Sequence, residues 1–432
     1  MFTTDAFWWE AAPPQALPER PVPANADVVI IGAGYTGLSA AITLARAGRS
    51  VVAFDRMKPG EGASSRNGGI ASGNLRPGFA ELTRRFGEAR ALAIQAESKT
   101  AREDLADFIR REGIDCDFVQ SGRFTGASSA KEYEQLAREA ERLRDQLGIE
   151  AHAVPASEQR RELGTDFYHG GLVRMDIGGL HPAKLHAEML RVALAAGAEV
   201  HGETPVRSLT PGGRGFRLET SRGPIEASQV IVATNGYTDG VDPWLRRRLV
   251  PVMSRIIATE PISDNLMRQL MPAGRMCSET RKLHYYFRPS PDGRRILWGG
   301  RDGALQPDPQ GATLRLERAM HDVFPELRGT AITHSWFGYV AMHLDMVPRL
   351  FTHEGLHYAC GYCGSGVVWA RWAGLHAARQ VLGEKEVRSA FDFRPPSAIP
   401  LYRGRPWFMP AVFKWFELQD RLSQRLRKRT SP

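Results

Sequence analysis

Hydrophobic and polar positions change period several times along the chain, and the sharpest change comes just after Asp27. Val28, Val29, Ile30 and Ile31 form an unbroken apolar run, which predicts a strand buried on both faces of a parallel sheet. A helical pattern follows, and a second apolar run, Ser50 to Phe54, ends in Asp55. Helical periods recur over Phe79 to Arg111 (Leu92, Ile94, Leu105, Phe108 and Ile109 facing inward), Lys131 to Leu147, Ala183 to Ala196, Thr313 to Val323 and Val367 to Leu382. Gly148 and Gly197 mark two of their ends. Strands are predicted at Ile114 to Phe124 around a turn, Glu199 to Gly202 and Thr204 to Ser208. Gly215 to Thr220 with Pro224 to Ala227 reads as a hairpin, and Gln229 to Ala233 as a buried strand. A β-rich section then includes Arg255 to Thr259, His284 to Arg288, Arg295 to Trp298 and Thr333 to Gly338, before Gly355 to Cys360. Asp292-Gly293 signals a turn between the second and third of these.

The ends differ from this body. Residues 1–26 carry Phe7, Trp8 and Trp9 and then a proline-rich run, which predicts an extended arm whose aromatic side chains dock on the body. Phe391 to Pro410 is again proline-rich, and Ala411 to Lys428 repeats Trp415, Leu418, Leu422 and Leu426 on one helical stripe.

Composition adds limits rather than identity. Hydrophobic content of 42% with 24% charged residues is that of a globular protein with a sizeable core. Four cysteines in 432 residues argue against a disulfide scaffold and for a reducing compartment. The first residues lack a secretory pattern and no run is long enough to span a bilayer, so a cytoplasmic protein is expected. The net charge of +9 includes the clusters Arg246 to Arg248 and Arg425, Arg427, Lys428 and Arg429. No nucleic-acid-binding module accompanies them, so nucleic acid is not an expected partner. A solvated tail, or contact of the basic C-terminal helix with a membrane surface or another protein, are the readings left.

Chemistry enters at the first turn. Gly32, Gly34 and Gly37 make G-x-G-x-x-G between strand and helix, with Tyr35 and Thr36 inside it and Asp55 about 20 residues on, followed by Arg56. The glycines allow a tight turn, close approach of a pyrophosphate and close helix–strand packing; the acid accepts ribose hydroxyls. The helix start offers free N–H groups to phosphate. A second glycine-rich stretch, Gly60 to Gly73, presents Ser64, Ser65, Arg66, Asn67, Gly68 and Gly69, which can wrap the other half of a dinucleotide. The first motif does not separate NAD from FAD. Two later segments favour flavin: the strand running into Thr234, Asn235 and Gly236, and the loop Gly361, Gly364, Ser365, Gly366 leading through Val367 into an apolar helix. Such a helix start stabilises negative charge on the pyrimidine side of a reduced flavin. Cys360 and Cys363 form C-x-x-C, open to a redox or zinc reading, but Cys116 and Cys277 are isolated and no second dinucleotide motif occurs. No metal site is expected.

Across nearly its whole length the chain resembles the D-amino-acid-oxidase-like superfamily of FAD-dependent oxidoreductases, and within it the γ-glutamylputrescine-oxidase-like branch. The motifs that carry this are Trp8-Trp9, GAGYTGLSAA at Gly32, GASSRNGG at Gly62, LHPAKL at Leu180 and VIVATNGYT at Val230. Tyr285-Tyr286-Phe287-Arg288, Trp298-Gly299-Gly300, Trp336-Phe337-Gly338, Asp345 to Pro348 and GYCGSGV at Gly361 continue it. The resemblance implies an α/β protein: a Rossmann-type (GR2-like) FAD-binding domain with a discontinuous mixed β-sheet substrate domain. Residues 25–90, 150–240 and 330–390 would form the first, and 91–149 with 241–329 the second and a helical insert. Residues 1–24 would be the arm and 391–432 a C-terminal extension.

It further implies oxidation of a small amine or amino acid at the C–N bond, with hydride passing to flavin N5, the imine hydrolysing, and oxygen or another acceptor reoxidising the flavin to yield peroxide with oxygen. Besides the glycine-rich segments, Val206 is expected against the cofactor. Tyr286, Trp336 and His343 are the candidate catalytic residues, with Tyr285 and Trp369 as further aromatic candidates for the pocket. Arg288 and Arg349 are candidates to pair with a substrate carboxylate. The chain departs from the family pattern at His343, where threonine is common, and at Ser365, where histidine is common. The cysteine or histidine that tethers flavin in some members is absent, so FAD is expected to be non-covalent. A hydroxy-acid dehydrogenase of the same fold and an electron-transferring flavoprotein subunit remain alternatives.

Overall fold

The computed structural model describes residues 1–213, 215–302, 308–384, 389–391 and 394–428. β1 (Asn25–Ile31) runs parallel to β2 (Val51–Phe54) on one side and to strand Gly223–Val232 on the other, with α1 (Tyr35–Arg46) crossing over from β1 to β2. Alternation along β1 decides what each face meets. Val28 and Ile30 join a core with α1 and helices Pro182–Ala195 and Gly366–Val381, while Val29 and Ile31 face Val52, Phe54, Leu218 and Ile225 on the other side. The sheet continues past β2 to Glu199–His201 and, past Gly223–Val232, to Leu356–Cys360 and Arg349–His353. The antiparallel strands Val206–Gly212 and Gly215–Thr220 extend its hairpin edge.

A second eight-stranded sheet is mostly antiparallel, in the order Ile332–Met342, Val250–Thr259, Ile296–Asp302, Tyr286–Pro289, Met276–Glu279, Arg123–Gly126, Gly171–Arg174 and Ala151–Val154. Arg123–Gly126 and Met276–Glu279 pair in parallel, which makes it a mixed sheet. Phe287 and Trp298 stack at 4.3 Å in its core, under helix Pro309–Val323.

Some expected elements change shape. The helical stretch from Phe79 is two helices, Phe79–Phe86 and Glu88–Arg111, because Gly87 adopts φ +81° and turns the axis. Ile114 to Phe124 is mainly irregular, with one bridge from Val119 to Gly179 and the strand beginning at Arg123. The hairpin return and the QVIVA run are one ten-residue strand, Gly223–Val232, since each half pairs with a different neighbour. The N-terminal arm contains a short turn of helix at Phe7–Glu10, and the final helix is Met409–Lys428. The side chains of Leu422, Arg425, Leu426, Arg427 and Lys428, and all of Arg429, lie outside the described residues. Among the described residues no helix is long and apolar enough to cross a membrane.

Candidate active site

A cleft of about 470 Å³ runs from the end of β2 to the face of the second sheet. Its walls include Gly32, Gly34, Tyr35, Thr36, Asp55, Arg56, Ser64, Arg66, Asn67, Gly68, Val206, Thr234 and Asn235, then Gly364 to Val367 and Tyr286. Segments far apart in sequence thus meet on one surface.

At the β1 end, Gly32 takes φ +107°, and a Cβ there would come 2.9 Å from the Ala233 carbonyl oxygen, so only glycine passes. The Asp55 carboxylate accepts the Ala33 N–H at 2.9 Å with one oxygen and the Met57 N–H at 3.0 Å with the other. Burial pushes its pKa up, and these two donors pull against that shift. Ser64 Oγ accepts the Tyr35 N–H at 3.0 Å, joining the second glycine-rich stretch to the start of α1. His186 Nε2 sits 2.8 Å from the Ala33 carbonyl oxygen; burial lowers its pKa to about 4, so the ring is neutral and donates. Arg56 pairs with Asp239 at 2.9 Å.

The turn at 64–69 is held from outside the cleft. Trp8 Nε1 donates to the Asn67 carbonyl, Trp9 Nε1 to Ser65 Oγ and Trp336 Nε1 to the Arg66 carbonyl, each at 2.8 Å. Arg288 donates to the carbonyls of Gly69 and Leu180, both at 2.8 Å. Ser65 and Gly69 therefore serve the turn's support and are not on the cleft wall. Trp336 is fully buried behind the turn, so its indole does not reach the cleft where the sequence reading had it. Arg288 is likewise spent on main-chain carbonyls.

The late loop is fixed by Asn235, whose Oδ1 accepts the Gly361 N–H at 2.9 Å. Thr36 and Tyr362 hydroxyls meet at 2.8 Å, and Ser39 Oγ donates to the Arg371 carbonyl at 2.6 Å, locking helix Gly366–Val381 to α1. Ser365 makes no side-chain cap, which leaves that helix start open to the cleft. Gly37 and Gly236 pack against main chain at Gly32 and at Tyr339 and Ala341 respectively, and Gly361 packs against the His343 ring. His343 is buried away from the cleft wall with Nε2 2.7 Å from the Val347 carbonyl oxygen, and burial, helped by Arg349, lowers its pKa to about 4. It is a neutral strut under the loop. Arg349 pairs with Asp345, Tyr285 packs on Trp298, and Trp369 packs on Phe391 inside the core. Cys360 and Cys363 are free and belong to different apolar clusters; Cys363 lines the cleft, and burial pushes its pKa to about 11.

Of the three candidate catalytic residues, Tyr286 is the one on the cleft wall. Its hydroxyl lies 3.0 Å from Ser254 Oγ, and its ring edge would meet a Cβ at Gly68 at 2.8 Å. Beyond it the wall holds groups the sequence reading passed over: Arg76, Arg123, Arg301 and His284. The available signal was Arg301, following the apolar run Ile296 to Gly300.

The donor set fits an adenine dinucleotide with a flavin: a buried acid beyond a glycine turn, an uncapped helix start, and main chain brought to the cleft wall at Gly32, Gly34, Gly68 and Gly364. The profile described as DAO, FAD dependent oxidoreductase, matches residues 27–380. The gamma-glutamylputrescine oxidoreductase of Escherichia coli (strain K12) is 31% identical over 404 residues, 92% of this chain and 93% of that one. The probable oxidoreductase OrdL of Rhizobium meliloti (strain 1021) is 30% identical over 96% of this chain and 97% of its own. In fold, the crystal structure of glycine oxidase from Geobacillus kaustophilus superposes with a TM-score of 0.72 at 22% identity, covering 88% of this chain and 99% of that one. The chain belongs to the DAO family of FAD-dependent oxidoreductases.

Proposed function

We propose that the protein oxidises a small amine or amino acid at a carbon bonded to nitrogen. The observation that carries this is a cleft joining the dinucleotide turn to the wall at Tyr286, in a chain 31% identical over 92% of its length to the gamma-glutamylputrescine oxidoreductase of Escherichia coli. An amine entering as free base brings its own lone pair to support loss of hydride from the neighbouring carbon.

FAD, when bound, would supply a two-electron acceptor for the hydride, regenerated by oxygen or another acceptor. Asp55 would take the ribose hydroxyls, the start of α1 the pyrophosphate, Val206 the adenine side, and the open helix start at Gly366 the pyrimidine edge. Asn67, Gly68 and Tyr286 would bound the ring region, with Tyr286 orienting substrate. Trp336 and His343 act through the loops they support. The cofactor is held without a covalent link. The first sheet would form the FAD-binding domain and the second the substrate domain, the latter taking in strands from 151–174 and 332–342. Exposed Trp407, Trp415 and Leu418 near Lys414 support docking of the last helix on another surface. Four free, buried cysteines support a reducing, cytoplasmic setting.

Anaerobic mixing of the flavin-loaded protein with panels of amines and of hydroxy acids tests the reaction. Loss of the visible flavin absorbance with amines alone is expected; bleaching by hydroxy acids alone overturns the reading.

A further inference from the structure

Arg76, Arg123 and Arg301 line the substrate-side end of the cleft without a carboxylate hydrogen-bonded to any of them among the described residues. The acids nearby are already engaged. Glu279 accepts from Arg281, Tyr168 and the Tyr285 N–H, and Asp176 pairs with Arg102 and with Arg174. Arg76 donates to His284 Nδ1 at 3.1 Å, a neutral acceptor that cannot balance its charge. The Nε–H of Arg123 is buried with no hydrogen-bond partner. Arg301 reaches to the late loop, its guanidinium 2.9 Å from where a Cβ on Gly364 would stand. Burial depresses all three, Arg76 to about 10, and neighbouring positive charge adds to it at Arg123, which falls to about 9, and at Arg301, which falls well below its ordinary value.

Gathering guanidinium groups with no carboxylate partner in a partly buried cleft is unfavourable unless an anion completes it, and one carboxylate satisfies only one guanidinium in the two-pronged manner. Building on the amine reading above, we propose that the substrate is an amine bearing two carboxylates, one received by Arg301 and Arg76 beside the flavin loop and the other by Arg123. The geometry sets Arg301 nearest the reacting end, because it shares a contact with the loop at Gly364, while Arg123 comes from the strand Arg123–Gly126, three strands further along the same sheet.

The test uses flavin-loaded protein and two dead-end probes, butyrate and glutarate, followed by the shift each causes in the flavin spectrum. Glutarate is expected to bind at least about tenfold more tightly than butyrate. Arg301→Gln and Arg76→Gln are each expected to weaken glutarate about tenfold or more, with Arg301→Lys recovering part of the loss. Arg123→Gln is expected to bring the two probes within about twofold of each other. Equal affinity of the wild-type protein for both probes overturns the proposal, and needs no variant to fold. So does a variant that changes the flavin reduction potential while leaving glutarate affinity within about twofold. Reduction by N-methylglutamate in preference to N-methylalanine and n-butylamine supports it. If glutarate binds as expected but no amine bleaches the flavin, the dianion site stands and the amine reading falls. If all three amines bleach equally in wild type and Arg301→Gln, the amine reading stands and the dianion site falls.

Discussion

The indole of Trp8 donates to the main-chain oxygen of Asn67 at 2.8 Å, across 59 residues of sequence. This ties the first helical turn of the chain to the turn at 64–69 on the cleft wall. Replacing Trp8 by Phe leaves that carbonyl buried and unpaired, a cost of about 1–3 kcal/mol. The expected result is FAD affinity lowered about tenfold, measured by titrating apoprotein and following flavin fluorescence, with the reduction rate of the loaded fraction unchanged.

Asp55 is satisfied by two main-chain N–H groups before any ligand arrives. Asp55→Ala orphans both donors and would remove the acceptor proposed for the ribose hydroxyls. Hydrogen bonds to a charged group contribute about 1.5–3 kcal/mol each, so FAD affinity should fall about a hundredfold. Protein that purifies with full flavin content after this change would contradict the placement.

Tyr286 and Trp336 should separate cleanly. Tyr286→Phe alters a hydroxyl on the cleft wall and should slow anaerobic flavin reduction or raise the substrate concentration needed, leaving flavin content intact. Trp336→Phe removes the support of the Arg66 carbonyl and should loosen FAD with little effect on the reduction rate once it is bound. Stopped-flow reduction and flavin content read the two effects independently.

The paired cysteines should take no electrons. Cys360 and Cys363 pack in separate clusters, and burial keeps both thiols protonated. Anaerobic dithionite titration is expected to end at two electrons per flavin; four would show a redox disulfide. Acid precipitation should leave all of the yellow colour in the supernatant, as a non-covalent cofactor requires.

Stability should fall in mild acid. Burial lowers the pKa of His186 and of His343 from 6.5 to about 4, so the unfolded chain binds these protons first. Their stabilising effect is complete above pH 6.5 and is lost as pH drops towards 4, on the order of 3 kcal/mol for each ring when fully protonated. The melting temperature should drop between about pH 7 and about pH 5, and drop less steeply in a His186→Asn, His343→Gln double variant.

Much of the fold was legible because the relevant signals are local. The run Val28 to Ile31, the glycines after it and the acid at 55 each encode their neighbours' conformation, and the cleft assembles around them. The turn at 64–69 was legible as a stretch near the cofactor, but its division of labour was not. Whether Trp336 faces the cleft or braces the turn from behind depends on which side of the second sheet it occupies, and period-two alternation leaves the two faces equivalent until the partner is known. His343 shows the same limit, since a buried histidine holding the Val347 carbonyl and one facing a flavin read alike. The arginines at 76, 123 and 301 come from a loop and two strands of separate origin, and only tertiary pairing reveals that no carboxylate among the described residues is hydrogen-bonded to them.

The cleft's walls begin at Ile31 and are completed by Ala370 on the helix that locks onto α1. During synthesis the dinucleotide motif therefore leaves the ribosome long before the residues that close over its ligand. An early βαβ unit can collapse on its own hydrophobic run, but it has no roof. Loading with FAD is thus an event for a chain extended past Ala370, and truncation before that residue is expected to yield a colourless product.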